Sequence, residues 1–192
     1  MVHPVRQQYS YDEYLRLEEM SPVKHEFLDG LVWAMAGRSP DHARVAANVS
    51  TSLGVQLRDR PCTVFSSDLR VRVKETGLAT YPDVSVVCGR LEMDPDDPKR
   101  HTVINPKVIV EVLSPSTEAY DRGEKLSHYK RVPSLIDVVL IAHDRRRIEV
   151  WRREEHGWAL EVVEDDGVAH LRAIGCTLAI ADVFRDPLQA AP

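Results

Sequence analysis

Two carboxylates within apolar sequence are the residues of this chain whose placement best suits catalysis. Glu111 interrupts the β-forming run KVIVEVLS (107–114), and Asp83 follows Pro82 in the apolar run YPDVSVVC (81–88). A charged carboxylate in a buried strand is costly unless it is paired or binds a cation. If the two strands are neighbours, Asp83 and Glu111 converge on one site. Two anionic oxygens there favour a hard divalent ion such as Mg²⁺ or Mn²⁺.

A lysine and a tyrosine in the following helical stretch could face the same cleft. In DRGEKLSHYKR (121–131), Lys125 and Tyr129 are four residues apart and so lie on one helix face, with Asp121 one turn earlier. Nearby carboxylates would hold Lys125 protonated, so that it could position a water and stabilise charge on a phosphate. With a divalent ion, such a set can hydrolyse a phosphodiester. Tyr129 is expected either to belong to the core or to orient Lys125 through its hydroxyl.

The N-terminal elements are predicted by capping and turn signals. A Ser-x-x-Glu capping box begins a first helix, an Asp-Gly pair centres a hairpin, and Ser-Pro begins a long helix. The predicted bounds are SYDEYLRLEEM (10–20) for the first helix, about 24–29 and 31–36 for the hairpin strands, and Pro40 to Arg60 for the long helix.

The sheet that must position the acids is predicted by apolar runs. Residues 62–74 alternate and indicate one bent strand or two, with one solvated face. The runs 81–88 and 107–114 are more continuously apolar, which is typical of central strands that are covered on both sides. After a helical stretch at 116–131, the later runs are a strand in LIDVVLIAHD (135–144), an antiparallel continuation in IEVWRRE (148–154), WALEVVE (158–164) and VAHLRAI (168–174), and a short closing helix in LAIADVF (178–184).

Length and composition indicate one globular domain. The chain has 192 residues, of which 43% are apolar and 29% charged, and its apolar runs are too short to cross a bilayer. The polar start MVHPVRQQYS lacks the apolar stretch of a signal peptide. Three unclustered cysteines predict neither a disulfide framework nor a zinc site. These features together predict a cytoplasmic protein that does not contact a membrane.

The charge balance weighs against a protein that holds nucleic acid by bulk electrostatics. The net charge is −5, whereas neutralising many phosphates requires clustered Lys and Arg. The two densest basic clusters are small. Arg145, Arg146 and Arg147, and then Arg152 and Arg153, are either phosphate contacts or part of a solvated strand edge.

Five segments, in this order and spacing, resemble the Uma2 family within the PD-(D/E)XK nuclease superfamily. They are KHEFLDG, SPDH, SSDLRV, YPDVSVV, and IVEVLSPST followed by YDRGEKLSHYK, within a resemblance from about Tyr9 to Phe184. The resemblance implies a mixed α/β (α+β) fold with a restriction-endonuclease-like core. In that fold a central mixed sheet is flanked by helices, with an N-terminal helix plus β-hairpin and a C-terminal antiparallel extension. A single nuclease-like domain would cover 1–192, with its core at about 39–142.

The resemblance also implies roles for individual residues. Asp83 corresponds to the superfamily aspartate and Glu111 to the second acid, and both would hold Mg²⁺ (or Mn²⁺). The family pattern has a lysine two residues after the second acid, where this chain has Leu113. Lys125, in the next helical stretch, is the candidate to replace it.

Three further residues match family segments and leave two interpretations open. Glu26 in KHEFLDG and His42 in SPDH could each reach the cleft as an additional ligand or a water-orienting group. Alternatively, Glu26 is a residue of the strand surface, and His42 is a polar residue in the first turn of a helix. Asp68 in SSDLRV is either a third acid or a turn residue.

Two functions of different classes follow. One is a Mg²⁺-dependent DNA endonuclease that hydrolyses phosphodiester bonds and forms a homodimer or larger assembly, because two cuts in a duplex need two sites. The alternative is a catalytically weak or inactive nuclease-fold protein that acts as an oligomeric nucleic-acid- or protein-binding module. The retained acids favour the enzyme, whereas the acidic net charge and Leu113 favour the binding module.

Overall fold

A computed structural model describes residues 8–35, 37, 39–142 and 144–189. The last residue of the predicted strand 31–36 and His143 of the predicted strand 135–144 lie outside these ranges. In chain order the helices and strands are α1 (Tyr11–Met20), β1 (His25–Leu28), β2 (Leu31–Ala34), α2 (Pro40–Gln56), β3 (Cys62–Ser66), β4 (Arg70–Arg72), β5 (Ala79–Thr80), β6 (Val84–Cys88), β7 (Thr102–Val103), β8 (Val108–Leu113), α3 (Glu118–Tyr120), a π-helical turn (Asp121–Lys125), α4 (Leu126–Tyr129), β9 (Asp137–Ala142), β10 (Arg147–Glu154), β11 (Gly157–Glu164), β12 (Val168–Leu171), β13 (Cys176–Ala179) and α5 (Ile180–Val183).

The two N-terminal helices begin where their capping signals predict. The Ser10 hydroxyl accepts from the Glu13 backbone N–H at 3.2 Å, and the Ser10 N–H donates to the Glu13 carboxylate at 2.7 Å, which completes the capping box. At α2, the Ser39 hydroxyl accepts from the His42 N–H at 3.2 Å, and Pro40 occupies the first helical position. The helix ends at Gln56, short of the predicted Arg60.

The described residues form three sheets. The largest has the strand order β11-β10-β9-β8-β6-β3; β8 and β9 are parallel, and the other neighbours are antiparallel. A second sheet has the order β2-β1-β5-β4-β7, and β12 pairs with β13. The mixed central sheet with a C-terminal antiparallel extension is therefore confirmed through β10 and β11. The third strand predicted for that extension, in VAHLRAI (168–174), does not join this sheet, because it pairs with β13 instead. Strands β6 and β8 are neighbours, which meets the condition for Asp83 and Glu111 to converge on one site.

The stretch 62–74, predicted to be one bent strand or two, forms two strands, β3 and β4, which belong to different sheets. Other elements differ from the prediction. The predicted closing helix 178–184 is wrong in its first part, because residues up to Ala179 pair with β12 as β13, and α5 begins at Ile180. The strands β5 and β7 are two residues long each, too short to show a period.

Side-chain alternation in β8 separates two cores. Val108, Val110 and Val112 pack in one cluster with the apolar face of α2, which contributes Val45, Val49 and Leu53. Ile109 and Leu113 belong to a second cluster on the opposite face, with Leu126 and Tyr129 of the helical segment 118–129. Glu111 lies between Ile109 and Leu113 in the same alternation, so it faces that helical segment.

Within the described ranges, every helix is too short or too polar to cross a lipid bilayer.

The expectation that the cysteines form no disulfide is wrong for one pair. Cys62 and Cys88 are cross-strand partners at the ends of β3 and β6, and they form a disulfide across 26 positions of sequence. Only the pairing of these strands brings the two thiols together, so their spacing carried no signal. Cys176 is a buried free cysteine.

Reduction of the Cys62–Cys88 bond should lower the free energy of unfolding by about 3 kcal/mol, because the bond closes a loop of this length in the unfolded chain. Urea denaturation with and without reductant measures the loss, and Cys176→Ala is the control that should show the same loss. In thiol titration of the unfolded chain, only Cys176 should react before reduction. Reaction of all three cysteines without reductant would contradict the pairing.

Candidate active site

The register of two central strands brings the predicted acids together. Val84 of β6 pairs with Val110 of β8, and continuing this register by one residue places Asp83 opposite Glu111. The Asp83 N–H lies 3.4 Å from Glu111 Oε2, and the Val112 N–H donates to Asp83 Oδ2 at 2.8 Å. Both carboxyl groups are buried and line one cavity of about 480 Å³.

Lys125 projects into a group of carboxylates from the π-helical turn. Its ammonium lies 2.8 Å from Glu26 Oε1, 3.0 Å from Glu111 Oε1 and 3.6 Å from Asp121 Oδ1. The lysine is only 4% exposed, so solvent screens these pairs little. Asp121, which was not among the predicted site residues, also lines the cavity.

Tyr129 belongs to the core and also contacts the site. Its hydroxyl donates to Glu111 Oε1 at 2.5 Å, while its ring packs with Leu113 and Leu126. The hydroxyl therefore fixes the carboxylate of Glu111 and not the ammonium of Lys125. The Lys125 Nζ lies 5.9 Å from the centroid of the tyrosine ring.

Glu26 and His42 both line the cavity, so Glu26 is not a residue of the strand surface, and His42 is both a residue of the first turn of α2 and a residue of the cavity. Glu26 on β1 is 3% exposed and accepts a hydrogen bond from the Thr80 hydroxyl. His42, in the first turn of α2, is 5% exposed, and its Nε2 lies 3.1 Å from Asp83 Oδ2. Each acid of the central pair thus has a positively charged or potentially charged neighbour.

Asp68 lies outside this group. It occupies the turn between β3 and β4, its side chain is 82% exposed, and its Oδ1 lies 2.5 Å from the Lys24 ammonium. The described cavity lining does not include it. Of its two interpretations, the structure supports the turn residue.

Trp33 is a cavity residue that the sequence analysis did not identify. It is the cross-strand partner of Glu26 in the hairpin. The two-residue Asp29-Gly30 turn fixes this register, so the hairpin signal contained the information that Trp33 lies beside Glu26.

Burial and neighbouring charges shift the pKa values of the central groups. Burial raises the pKa of Glu111 from 4.5 to about 7, although the ammonium of Lys125 opposes the shift. For Lys125, burial favours the neutral amine, but Glu111 and the other carboxylates outweigh it and hold the pKa well above its usual range. For Tyr129, burial and then the charge of Glu111 both raise the pKa of the hydroxyl well above its usual range. At neutral pH, Lys125 is charged and Tyr129 remains a hydrogen-bond donor.

The donor set fits a hard divalent ion that keeps part of its hydration shell. Four carboxyl groups line the cavity, and Lys125 is the one lysine or arginine among its described lining residues. Across the described chain, His, Cys, Asp and Glu side chains do not form groups of three or more that could enclose a metal. Two carboxylates completed by waters and substrate oxygens suit Mg²⁺, which is seldom enclosed by protein ligands alone.

Comparisons with known proteins identify the family of this chain. The family model of Uma2, described as "Putative restriction endonuclease", matches residues 11–181. The chain belongs to the Uma2 family. In Synechocystis sp., a relative named "Uncharacterized protein slr1290" is 36% identical over 178 residues, which cover 92% of this chain and 91% of that protein. A second, "Uncharacterized protein sll1609", is 34% identical over 141 residues, which cover 73% of this chain and 78% of the relative.

A solved structure shows the same fold. The crystal structure of "a putative nuclease belonging to DUF820" from Anabaena variabilis has a TM-score of 0.75 to this chain and covers 92% of it, with 97% of its own chain matched. The sequence identity is 20%, so the likeness establishes the architecture. The restriction-endonuclease-like fold expected of a Uma2 protein is thereby confirmed.

The raised pKa of Glu111 predicts how the stability of the metal-free protein depends on pH. Since the native state holds a proton that the unfolded chain releases above pH 4.5, the stabilisation is complete below that pH and is lost as the pH rises through about 7. The loss should amount to a few kcal/mol, at about 1.4 kcal/mol per pKa unit. Urea denaturation in a chelator across this range measures it.

Glu111→Gln should remove this part of the pH dependence, and Glu124→Gln, an exposed acid of the same helical segment, should leave it intact. A profile of Glu111→Gln parallel to that of the wild type would show that Glu111 titrates normally.

Proposed function

We propose that this Uma2 protein is a metal-dependent nuclease that hydrolyses phosphodiester bonds in DNA with Mg²⁺ or Mn²⁺. The observation that carries the proposal is the placement of Asp83 and Glu111 opposite each other on adjacent strands, with the Lys125 ammonium 3.0 Å from Glu111. This set supplies oxygen ligands for a cation and a fixed positive charge beside them.

Each side chain has a distinct task in this proposal. Asp83 and Glu111 would hold the ion, which when bound lowers the pKa of water and neutralises charge on the phosphate. Lys125 remains protonated and stabilises the negative charge that develops on the phosphate oxygens. Tyr129 fixes the Glu111 carboxylate by its hydrogen bond, and His42 contacts the carboxylate of Asp83.

The family supports the reaction type. The description of Uma2 as "Putative restriction endonuclease" and the nuclease described for the Anabaena chain both concern nucleic-acid cleavage. Fold and family membership alone do not establish activity, so the proposal depends on the side chains of the cavity.

A second candidate, a binding module without catalysis, is favoured by one observation. Lys125 already bridges Glu26 and Glu111, so the chain itself neutralises part of the charge that a metal would balance. In that case the cluster would be a structural ion-pair network. Metal-dependent cleavage separates the two candidates.

Asp83→Asn should abolish cleavage of labelled DNA in Mg²⁺ or Mn²⁺, because it removes one of two anionic ligands while keeping the size of the side chain. Mn²⁺ should raise the melting temperature of the wild type and not of the variant, since only a protein that binds the ion is stabilised by it. The matched control is Asp68→Asn, in an exposed acid outside the cavity. Equal metal-induced shifts in wild type and Asp83→Asn would exclude this metal site.

Lys125→Met should lower the cleavage rate by about 10²–10³-fold, the loss for one electrostatic donor at a reacting group. The Mn²⁺-induced rise in melting temperature should persist, because Lys125 acts on the transition state and is not a ligand. Lys99→Met, in an exposed pair with Glu19, is the control. Cleavage by Lys125→Met at the wild-type rate would show that Lys125 has no catalytic role.

Two broader expectations also stay proposals. A homodimer or larger assembly is supported by β11, which ends the largest sheet and exposes the apolar side chains of Leu160 and Val162. Sedimentation velocity tests this assembly.

A cytoplasmic location would keep Cys62 and Cys88 reduced, so cleavage should not depend on their bond. Loss of cleavage on adding reductant would contradict that location.

A further inference from the structure

The cavity that holds the acids has an apolar wall that phosphodiester hydrolysis does not itself require. Trp33 on β2, Met35, Pro115 and Tyr120 on α3 line it together with the carboxylates. Because Trp33 and Glu26 are cross-strand partners, the hairpin holds an aromatic ring directly beside the acid cluster. A substrate that reaches the acids therefore also meets this wall.

The two aromatic rings of the wall can accept a further planar group. The centroids of Trp33 and Tyr120 lie 6.3 Å apart at an interplanar angle of 83°, an edge-to-face arrangement. In such a pair each ring keeps at least one face that the other does not cover. Both residues are only partly buried. Nucleobases stack on exposed aromatic faces largely regardless of base identity.

The volume of the cavity suits one nucleotide and not a segment of duplex. At about 480 Å³ it falls within the usual size of small-molecule sites. In a duplex the bases are paired and stacked, so a base reaches such a pocket only when the strand is single or the base is extruded.

Few basic side chains among the described residues in or near the cavity are available to bind the phosphates of a duplex. Lys125 is the one lysine or arginine among the described lining residues, and Glu26 and Glu111 already contact it. The two arginine clusters of the sequence are also engaged within the chain. Their contacts are Arg145 with Glu118, Arg146 with Asp166, Arg147 with Glu149 and Glu164, Arg152 with Asp137, and Arg153 with the carbonyl of Leu135. Within the described cavity lining, phosphate neutralisation therefore supplies little affinity, and contacts to the base supply more of it.

From these observations we infer that the nucleic acid taken by this cavity is single-stranded, with an unpaired base packed against Trp33 and Tyr120 while its phosphate faces the acids. The inference rests on the proposed nuclease function and narrows its substrate. Single strands of DNA and of RNA share this chemistry, so the experiment includes both.

Binding of labelled oligonucleotides tests the inference without cleavage, with Ca²⁺ in place of Mg²⁺. Fluorescence anisotropy should show that a short single strand binds at least about 10-fold more tightly than the duplex of the same sequence. Trp33→Ala should weaken single-strand binding by about 10- to 100-fold, and Trp33→Phe should keep most of the affinity. Trp158→Ala, a tryptophan outside the cavity, is the control. Comparing the DNA and RNA strands identifies the preferred sugar.

A competition experiment tests the role of the base itself. dAMP should displace the single strand, whereas 2-deoxyribose 5-phosphate, which lacks the base, should be at least about 10-fold weaker. If Trp33→Ala lowers the melting temperature too far for binding to be measured, Tyr120→Leu, compared with Tyr120→Phe, tests the same wall.

The outcomes separate this inference from the proposed function. Equal or tighter binding of duplex, with no effect of Trp33→Ala or Tyr120→Leu, would overturn the inference even if Asp83-dependent cleavage occurs. Single-strand binding that depends on Trp33, without cleavage in Mg²⁺ or Mn²⁺, would support the inference and refute the proposed nuclease.

Discussion

Lys125 carries a positive charge into the protein interior, and the arrangement of the cavity depends on how that charge is balanced. An isolated buried ammonium is strongly unfavourable, but here Glu26, Glu111 and Asp121 surround it. The three carboxylates come from β1, β8 and the π-helical turn. The Lys125 ammonium therefore forms ion pairs with residues of the hairpin, the central sheet and the helical segment, and so links these three elements. Removing a member of such a network leaves an uncompensated buried charge, at a typical cost of about 3–5 kcal/mol.

The same constraint explains why the acids lie at strand ends. Asp83 immediately precedes β6, and Glu111 is near the end of β8, so both carboxylates can be buried against protein and still open onto the cavity. The N-terminus of α2 contributes His42 to Asp83 from the other side. Each acid is held by a backbone or side-chain donor, which limits the movement of both before any ligand binds.

The features that the sequence predicted are those encoded locally. A capping box, an Asp-Gly turn, a Ser-Pro helix start and long apolar runs define α1, the hairpin, α2 and the central strands, and the resemblance to Uma2 connected Asp83 with Glu111. What could not be predicted depends on contacts distant in sequence. The Cys62–Cys88 bond follows from strand pairing, and the Tyr129 hydroxyl bonds to Glu111 only once the helical segment is packed. The pairing of β13 with β12 is local, but a short apolar run does not by itself distinguish a strand from a helix. Trp33 is an intermediate case, since the hairpin register placed it beside Glu26 before any tertiary contact was considered.

Leu113 shows why the charged group enters from a helix in this chain. It lies on the same face of β8 as Glu111, at the position where the sequence resemblance implied a lysine, but it is 1% exposed and packs with Leu126 and Tyr129. A lysine at that position would replace apolar contacts that attach the helical segment to the sheet, and it would bring a second ammonium to carboxylates that Lys125 already balances. Leu113 therefore supports the packing of the helical segment against the sheet, and that packing places the Lys125 ammonium beside the Glu111 carboxylate. Leu113 and Lys125 thus contribute to one arrangement, in which the apolar residue attaches the helical segment to the sheet and the attached segment places the ammonium beside Glu111.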